Sequence, residues 1–144
     1  MNEAIRAAEN LARRILACEA DKGDHPQVHA VSRAVEKLHP YLTKYVGVAG
    51  FHALLVRALA MAKAQIPWLA SLQVKADGTL EGFDAAAQMR DADDAGKGGL
   101  ALLTELLGLL VTFLGEAITL HMVQEVWSGA RLDELNFSAK EPTR

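Results

Sequence analysis

Gly99–Trp127 reads GLALLTELLGLLVTFLGEAITLHMVQEVW, and the fold turns on this stretch. Between Leu100 and Leu114 the only charge is Glu105, and Thr104 and Thr112 are the other polar side chains. At about 3.6 residues per turn the whole stretch makes seven to eight turns of α-helix. A helix that is apolar on every side has to be surrounded, either by other helices or by lipid. Leu106–Gly115 is ten residues without a charge, short of the ~20 a bilayer requires. Glu105, Glu116 and His121 interrupt any longer window, and no cluster of Lys or Arg flanks it. The stretch therefore reads as the central helix of an all-α bundle, with no membrane span.

Upstream, Asp91–Gly99 (DADDAGKGG) is acidic and then glycine-rich, and reads as a loop leading into the central helix. Asp84 is placed to cap a short helix running to about Asp93. Asp77-Gly78 has the chemistry of a two-residue hairpin turn, and Leu72–Lys75 and Thr79–Glu81 flank it with partial alternation. A short β-hairpin near 72–81 is expected there. Before it, Phe51, Leu54, Leu55, Leu59, Ala62 and Ile66 form the apolar stripe of a third helix, which Pro67 ends or bends.

Val46–Gly50 reads as a turn or loosely wound join. Behind it, Val28, Val31, Val35, Leu38, Leu42 and Tyr45 recur at alternating steps of three and four, the seam of a second helix opening at Asp24-His25-Pro26. Because the seam stays in register past Pro40, the proline is expected to kink this helix rather than divide it. A first helix from Asn2 to about Asp21 carries Ile5, Ala8, Leu11, Ile15 and Cys18 on one face and ends at Gly23. Downstream of Trp127, Ser128-Gly129 closes the central helix and Leu132, Leu135 and Phe137 fold back on the body. The expected organisation is one domain over 1–137, about five helices in an irregular bundle around 99–127, with a disordered tail at 138–144.

The 144 residues carry a formal net charge of −3, which gives no reason to expect nucleic acid as a partner. The charge is segregated. Residues 1–75 hold ten Lys/Arg and six Asp/Glu (+4), residues 76–144 five and twelve (−7), and the two sum to −3. Such halves complement each other within one bundle or between two chains. Cys18, the single cysteine, leaves no intrachain disulfide and sits among core positions. The first residues, MNEAIRAAENLARR, lack the apolar run of a secretory signal, so a cytoplasmic protein is expected.

Chemistry-bearing patterns are incomplete. His25 and His29 share one helix face at a spacing that suits a metal, but no third ligand of matching position follows. Glu36 and His39 have the Glu-x-x-His spacing of di-iron bundles, without the second copy such sites need. Gly96-Lys97-Gly98-Gly99 follows no strand and lacks the phosphate-loop pattern, and the Asp91/Asp93/Asp94 cluster lacks the offsets of a calcium loop. GxSxG and HExxH are absent. No enzyme, cofactor or metal is expected on these grounds.

The central helix holds the more informative irregularities. Gly108, Thr112 and Gly115 form a row of small residues that lets a neighbouring helix approach, from within the chain or from a second subunit. Glu105, Glu116 and His121 lie on a largely apolar helix, where a buried carboxylate needs a partner, and Arg57 and Lys63 of the third helix are the candidates for Glu105 or Glu116. Arg57, Glu116, His121 and a tryptophan could alternatively line a small-ligand pocket between the third and central helices. Trp68 and Trp127 each end a helix, as core caps or as contact residues. The leading expectation is a non-enzymatic helical interaction or regulatory module that self-associates as a homodimer or binds another protein. A small-molecule-sensing domain is the first alternative, and a metal-binding bundle using His25, His29 or His39 is the second.

Overall fold

The computed structural model describes residues 3–20 and 26–127. Helix α1 covers Glu3–Ala20 and α2 covers Pro26–Gln65; a 3₁₀ turn follows at Pro67–Ser71. The strands β1 (Gln73–Val74) and β2 (Leu80–Glu81) precede α3 (Phe83–Gln88), α4 (Ala92–Leu114) and α5 (Glu116–Val126). The architecture is an all-α irregular bundle with one short antiparallel hairpin. Asn2, Gly23, Asp24, His25 and the expected fold-back and tail beyond Trp127 lie outside the described residues.

In α1, Ala8, Leu11, Ala12 and Ile15 are fully buried, so the periodic face is the one that packs. Val31, Val35, Leu38 and Leu42 of the α2 seam are buried as well, while Tyr45, the last seam position, is exposed. Helix α2 passes through Pro40 and leaves helical geometry at Gly47 instead (φ 81°, ψ 165°). That combination is open essentially to glycine alone. The His39 and Phe51 rings meet edge-on with centroids 5.1 Å apart, whereas twelve residues of straight helix would separate them by about 18 Å. Residues 26–46 and 48–65 are therefore two limbs of a sharply bent helix, and the 46–50 join falls where the sequence placed it.

Two expectations for the C-terminal half need correction. The stretch 99–127 is not one helix, because α4 ends at Leu114 and Gly115 (φ 94°, ψ 157°) redirects the chain into α5. The acidic, glycine-rich stretch is not a loop either. Asp91 caps α4, its Oδ1 accepting from the Asp94 amide at 2.8 Å, and Asp93 and Asp94 occupy the first turn, where carboxylates suit the helix dipole. Gly96, Gly98 and Gly99 are helical residues. A Cβ on Gly98 would stand 2.4 Å from Trp68 Cζ2, and one on Gly99 would stand 3.3 Å from Val31 Cβ. The missing side chains at 98 and 99 are what bring α4 against its neighbours.

The hairpin is correctly placed but its turn is longer than expected. Val74 pairs with Leu80, the Lys75 amide donates to Thr79 O, and the Gly78 amide donates to Lys75 O. Ala76–Gly78 thus form a three-residue loop with Gly78 in the left-handed region (φ 89°). Asp84 lies inside α3 rather than capping it; the N-cap is Gly82.

The contacts fix how the limbs run. Val31 lies against Gly99 and Trp68 against Gly98, while Gln65 Nε2 donates to Glu105 Oε2 at 2.7 Å. Moving back from Trp68 to Gln65 moves forward along α4, so the second limb of α2 is antiparallel to α4 and the first limb is parallel to it. From Val31 to Gly47 and from Gly99 to Gly115 is sixteen residues each, about 24 Å of helix. Both glycine hinges consequently face the same end of the bundle.

Candidate functional site

At that end, large apolar side chains stand in the open. Exposure is 43% for Tyr45, 49% for Val48, 63% for Phe113 and 42% for Ile118; Val56, midway along the second limb, and Met89, at the end of α3, are exposed away from the hinges. Tyr45 and Val48 flank one hinge, and Phe113 and Ile118 flank the other. Around Gly108 and Gly115, among the described residues, nothing lies within 4 Å of where a side chain would begin. Thr112 is exposed and bonds its own helix, donating from Oγ1 to the Gly108 carbonyl at 3.0 Å. The small-residue row therefore receives no helix from the described part of the chain.

The polar candidates fall elsewhere. Arg57, Lys63 and Glu116 are exposed, and Glu105 takes its hydrogen bond from Gln65 rather than from a cation. His121 is exposed beside Glu125, Nε2 to Oε2 3.6 Å, on the outer side of α5. Arg57, Glu116 and His121 thus share neither a buried ion pair nor a cavity wall among those described. Trp68 is half-buried, tilted on Phe83 with ring centroids 5.8 Å apart, and carries the Arg90 guanidinium 5.5 Å over its ring. Trp127 is buried.

Trp127 belongs to a cluster the sequence reading did not assemble. Glu19 is fully buried in spite of its charge. Its carboxylate accepts from Trp127 Nε1 at 2.8 Å and from Arg33 Nε at 3.2 Å, and pairs with Lys37 Nζ at 2.6 Å. Arg33 Nη2 also donates to the Glu19 carbonyl at 2.6 Å, satisfying an orphan acceptor in the last turn of α1. Burial works against ionising Glu19, but the bonds from Lys37 and Trp127, the Lys37 charge and the Arg33 bond outweigh it. The carboxyl is held below the usual carboxylate range. One signal was present: Glu19 stands four after Ile15, on the buried face of α1, and Arg33 and Lys37 are a matching pair four apart on α2.

Two cavities lined by described residues reach the surface. One of about 460 Å³ lies between α1, α2 and α4, with Leu16, Val31 and Leu100 in its wall and Arg13 and Lys97 at its rim. Both rim cations are already engaged along their own helices, Arg13 with Glu9 at 2.7 Å and Lys97 with Asp93 at 3.2 Å. The other, about 330 Å³, lies between α2 and the hairpin beside Glu36, His39 and Thr79. His39 donates through Nε2 to the Asp77 carbonyl at 2.7 Å, which ties the hairpin to α2. No group of three or more His, Cys, Asp or Glu placed to hold a metal occurs among the described residues. His25 lies outside them, and of His29 only the helical backbone is described.

Comparison with protein-family models, with curated proteins and with solved structures finds no match.

Proposed function

We propose that this chain is a non-enzymatic helical interaction module that binds a second copy of itself, or another protein, through the end of the bundle where both hinges lie. The exposed apolar side chains flanking Gly47 and Gly115 carry the reading. An isolated exposed leucine or valine is ordinary, but a group of large apolar side chains on one end of a small domain marks a contact surface. Phe113 is the natural anchor, being the most exposed aromatic of the group. The open space beside Gly108 supports a close approach by the partner.

Absolute mass by light scattering over a concentration series tests the proposal. The parent chain is expected to shift from monomer to dimer on concentration, and Phe113→Glu to remain a monomer with unchanged helical content. A parent and a Phe113→Glu variant that dimerise equally would reject this face as the interface.

A second reading rests on a separate observation. Residues 30–65 and 93–114 are each long and apolar enough to cross a bilayer, and only 33% and 50% of the respective apolar windows are buried in the bundle. The unburied apolar sides of these two helices would then meet lipid instead of a protein. Flotation with phosphatidylcholine vesicles separates the two: a chain that floats only when Phe113 is intact favours lipid, and a chain that stays at the bottom of the gradient favours protein.

A further inference from the structure

We infer that α5 is an exchangeable arm: a second copy of this chain can accept it in place of its own, giving a dimer whose α4 and α5 run on as one helix. The inference rests on the self-association reading and specifies its route.

The junction between α4 and α5 is a single residue, Gly115. Helical bonding resumes at once on either side, the Gly115 amide donating to Val111 O and the Thr119 amide to Gly115 O. Only the bonds that would cross the hinge are lost, from the amides of Glu116, Ala117 and Ile118 to the carbonyls of Thr112, Phe113 and Leu114. No side chain caps the start of α5 in their place. Rotating Gly115 into the helical region would restore all of them, and in the bent form the Cβ position of Gly115 meets no other part of the described chain within 4 Å, so nothing is packed against the hinge. No proline occurs anywhere in 99–127, and the helix breaks at Gly115 alone, so rotation at one residue separates the bent form from a continuous helix.

Straightening alone would strip Thr119, Met122, Val123 and Trp127 from their buried seat. A second copy offers an identical seat, including the Glu19 carboxylate that receives Trp127 Nε1. Exchange therefore reproduces the seat of α5 on the second copy and adds the restored backbone bonds, at the cost of association. It also brings the two hinge segments alongside each other. Phe113 and Ile118, exposed in the closed chain, flank that new contact, and the open side of Gly108 gives it room. The occupant of the hinge face is thus the same segment of a second copy.

The test compares three full-length chains by light scattering and circular dichroism: the parent, Gly115→Ala, and a chain with Gly-Ser-Gly inserted after Gly115. Alanine disfavours φ 94° and favours helix, so Gly115→Ala should move the monomer–dimer equilibrium at least ~10-fold toward dimer, with a gain in helical signal. The insertion removes the incentive for a continuous helix and should leave a monomer. If all three dimerise equally, the self-association reading stands and the exchange is overturned. If all three are monomers at the highest concentration, both fall. Should Gly115→Ala fail to fold, the parent refolded from denaturant at high concentration carries the test. A slowly dissociating dimer that the insertion abolishes supports exchange, and a monomeric refolded parent overturns it.

Discussion

Glu19 shows how one residue holds three helices. Its carboxylate gathers a cation pair from α2 and the indole that ends α5, while its own backbone carbonyl is closed by Arg33. Glu19→Gln keeps the shape and removes the charge. Because Lys37 and Arg33 are partly exposed and can rehydrate, the loss should be about 2 kcal/mol, below the 3–5 kcal/mol typical of fully orphaned buried charges. The sign of the pH dependence follows from the depressed pKa. The unfolded carboxyl binds its proton at higher pH than the folded one, so this contribution is complete above the ordinary carboxylate pKa of about 4.3. It fades as pH falls through the lower, folded value. Urea midpoints of parent and Glu19→Gln should differ most near neutrality and converge on acidification; a difference that is constant with pH would contradict an ionised Glu19.

At the scale of elements, glycine decides direction in two different ways. Gly47 and Gly115 turn helices by adopting backbone angles closed to other residues. Gly98 is helical and acts by absence, leaving room for the Trp68 ring. Gly98→Ala gains up to about 1 kcal/mol of helix propensity but pushes the indole away from Phe83 and Arg90, and overpacking of this kind costs about 1–3 kcal/mol. A net loss of about 1 kcal/mol is expected, seen as a lower thermal midpoint with altered tryptophan fluorescence; a stabilised variant would show that Trp68 has freedom to move. The same contrast explains what the sequence reading caught and missed. Periodicity located α1, both limbs of α2 and the apolar body of α4, because burial of a stripe is written in spacing. It could not separate a glycine that breaks a helix from one that thins it, so 91–99 read as a loop and 115 as helix. Which outcome holds depends on the neighbour across the gap, and that neighbour is remote in sequence.

For the molecule as a whole, the fold class was legible and the polar organisation was not. Arg57 and Lys63 were matched to Glu105 and Glu116 by helix alone, whereas the buried charge cluster joins α1, the first limb of α2 and the end of α5. Long-range pairing is set by the angles at Gly47 and Gly115, which no local pattern records. If the chain self-associates, folding and assembly share one equilibrium. The urea midpoint should then rise with protein concentration, by up to about 1.4 kcal/mol of stability per tenfold change once the dimer dominates. A midpoint independent of concentration would indicate a monomer across that range.

The bond from Trp127 to Glu19 spans 108 residues, and during synthesis that distance becomes time. At about 5–20 residues per second, the carboxylate leaves the ribosome roughly 5–20 s before the indole that completes its shell. Through that interval α1 and the first limb of α2 can dock with Arg33 and Lys37 already in place, but their apolar flank stays unsealed. The nascent chain is thus open to capture, by a chaperone or by a neighbouring copy on the same polysome, until Trp127 arrives.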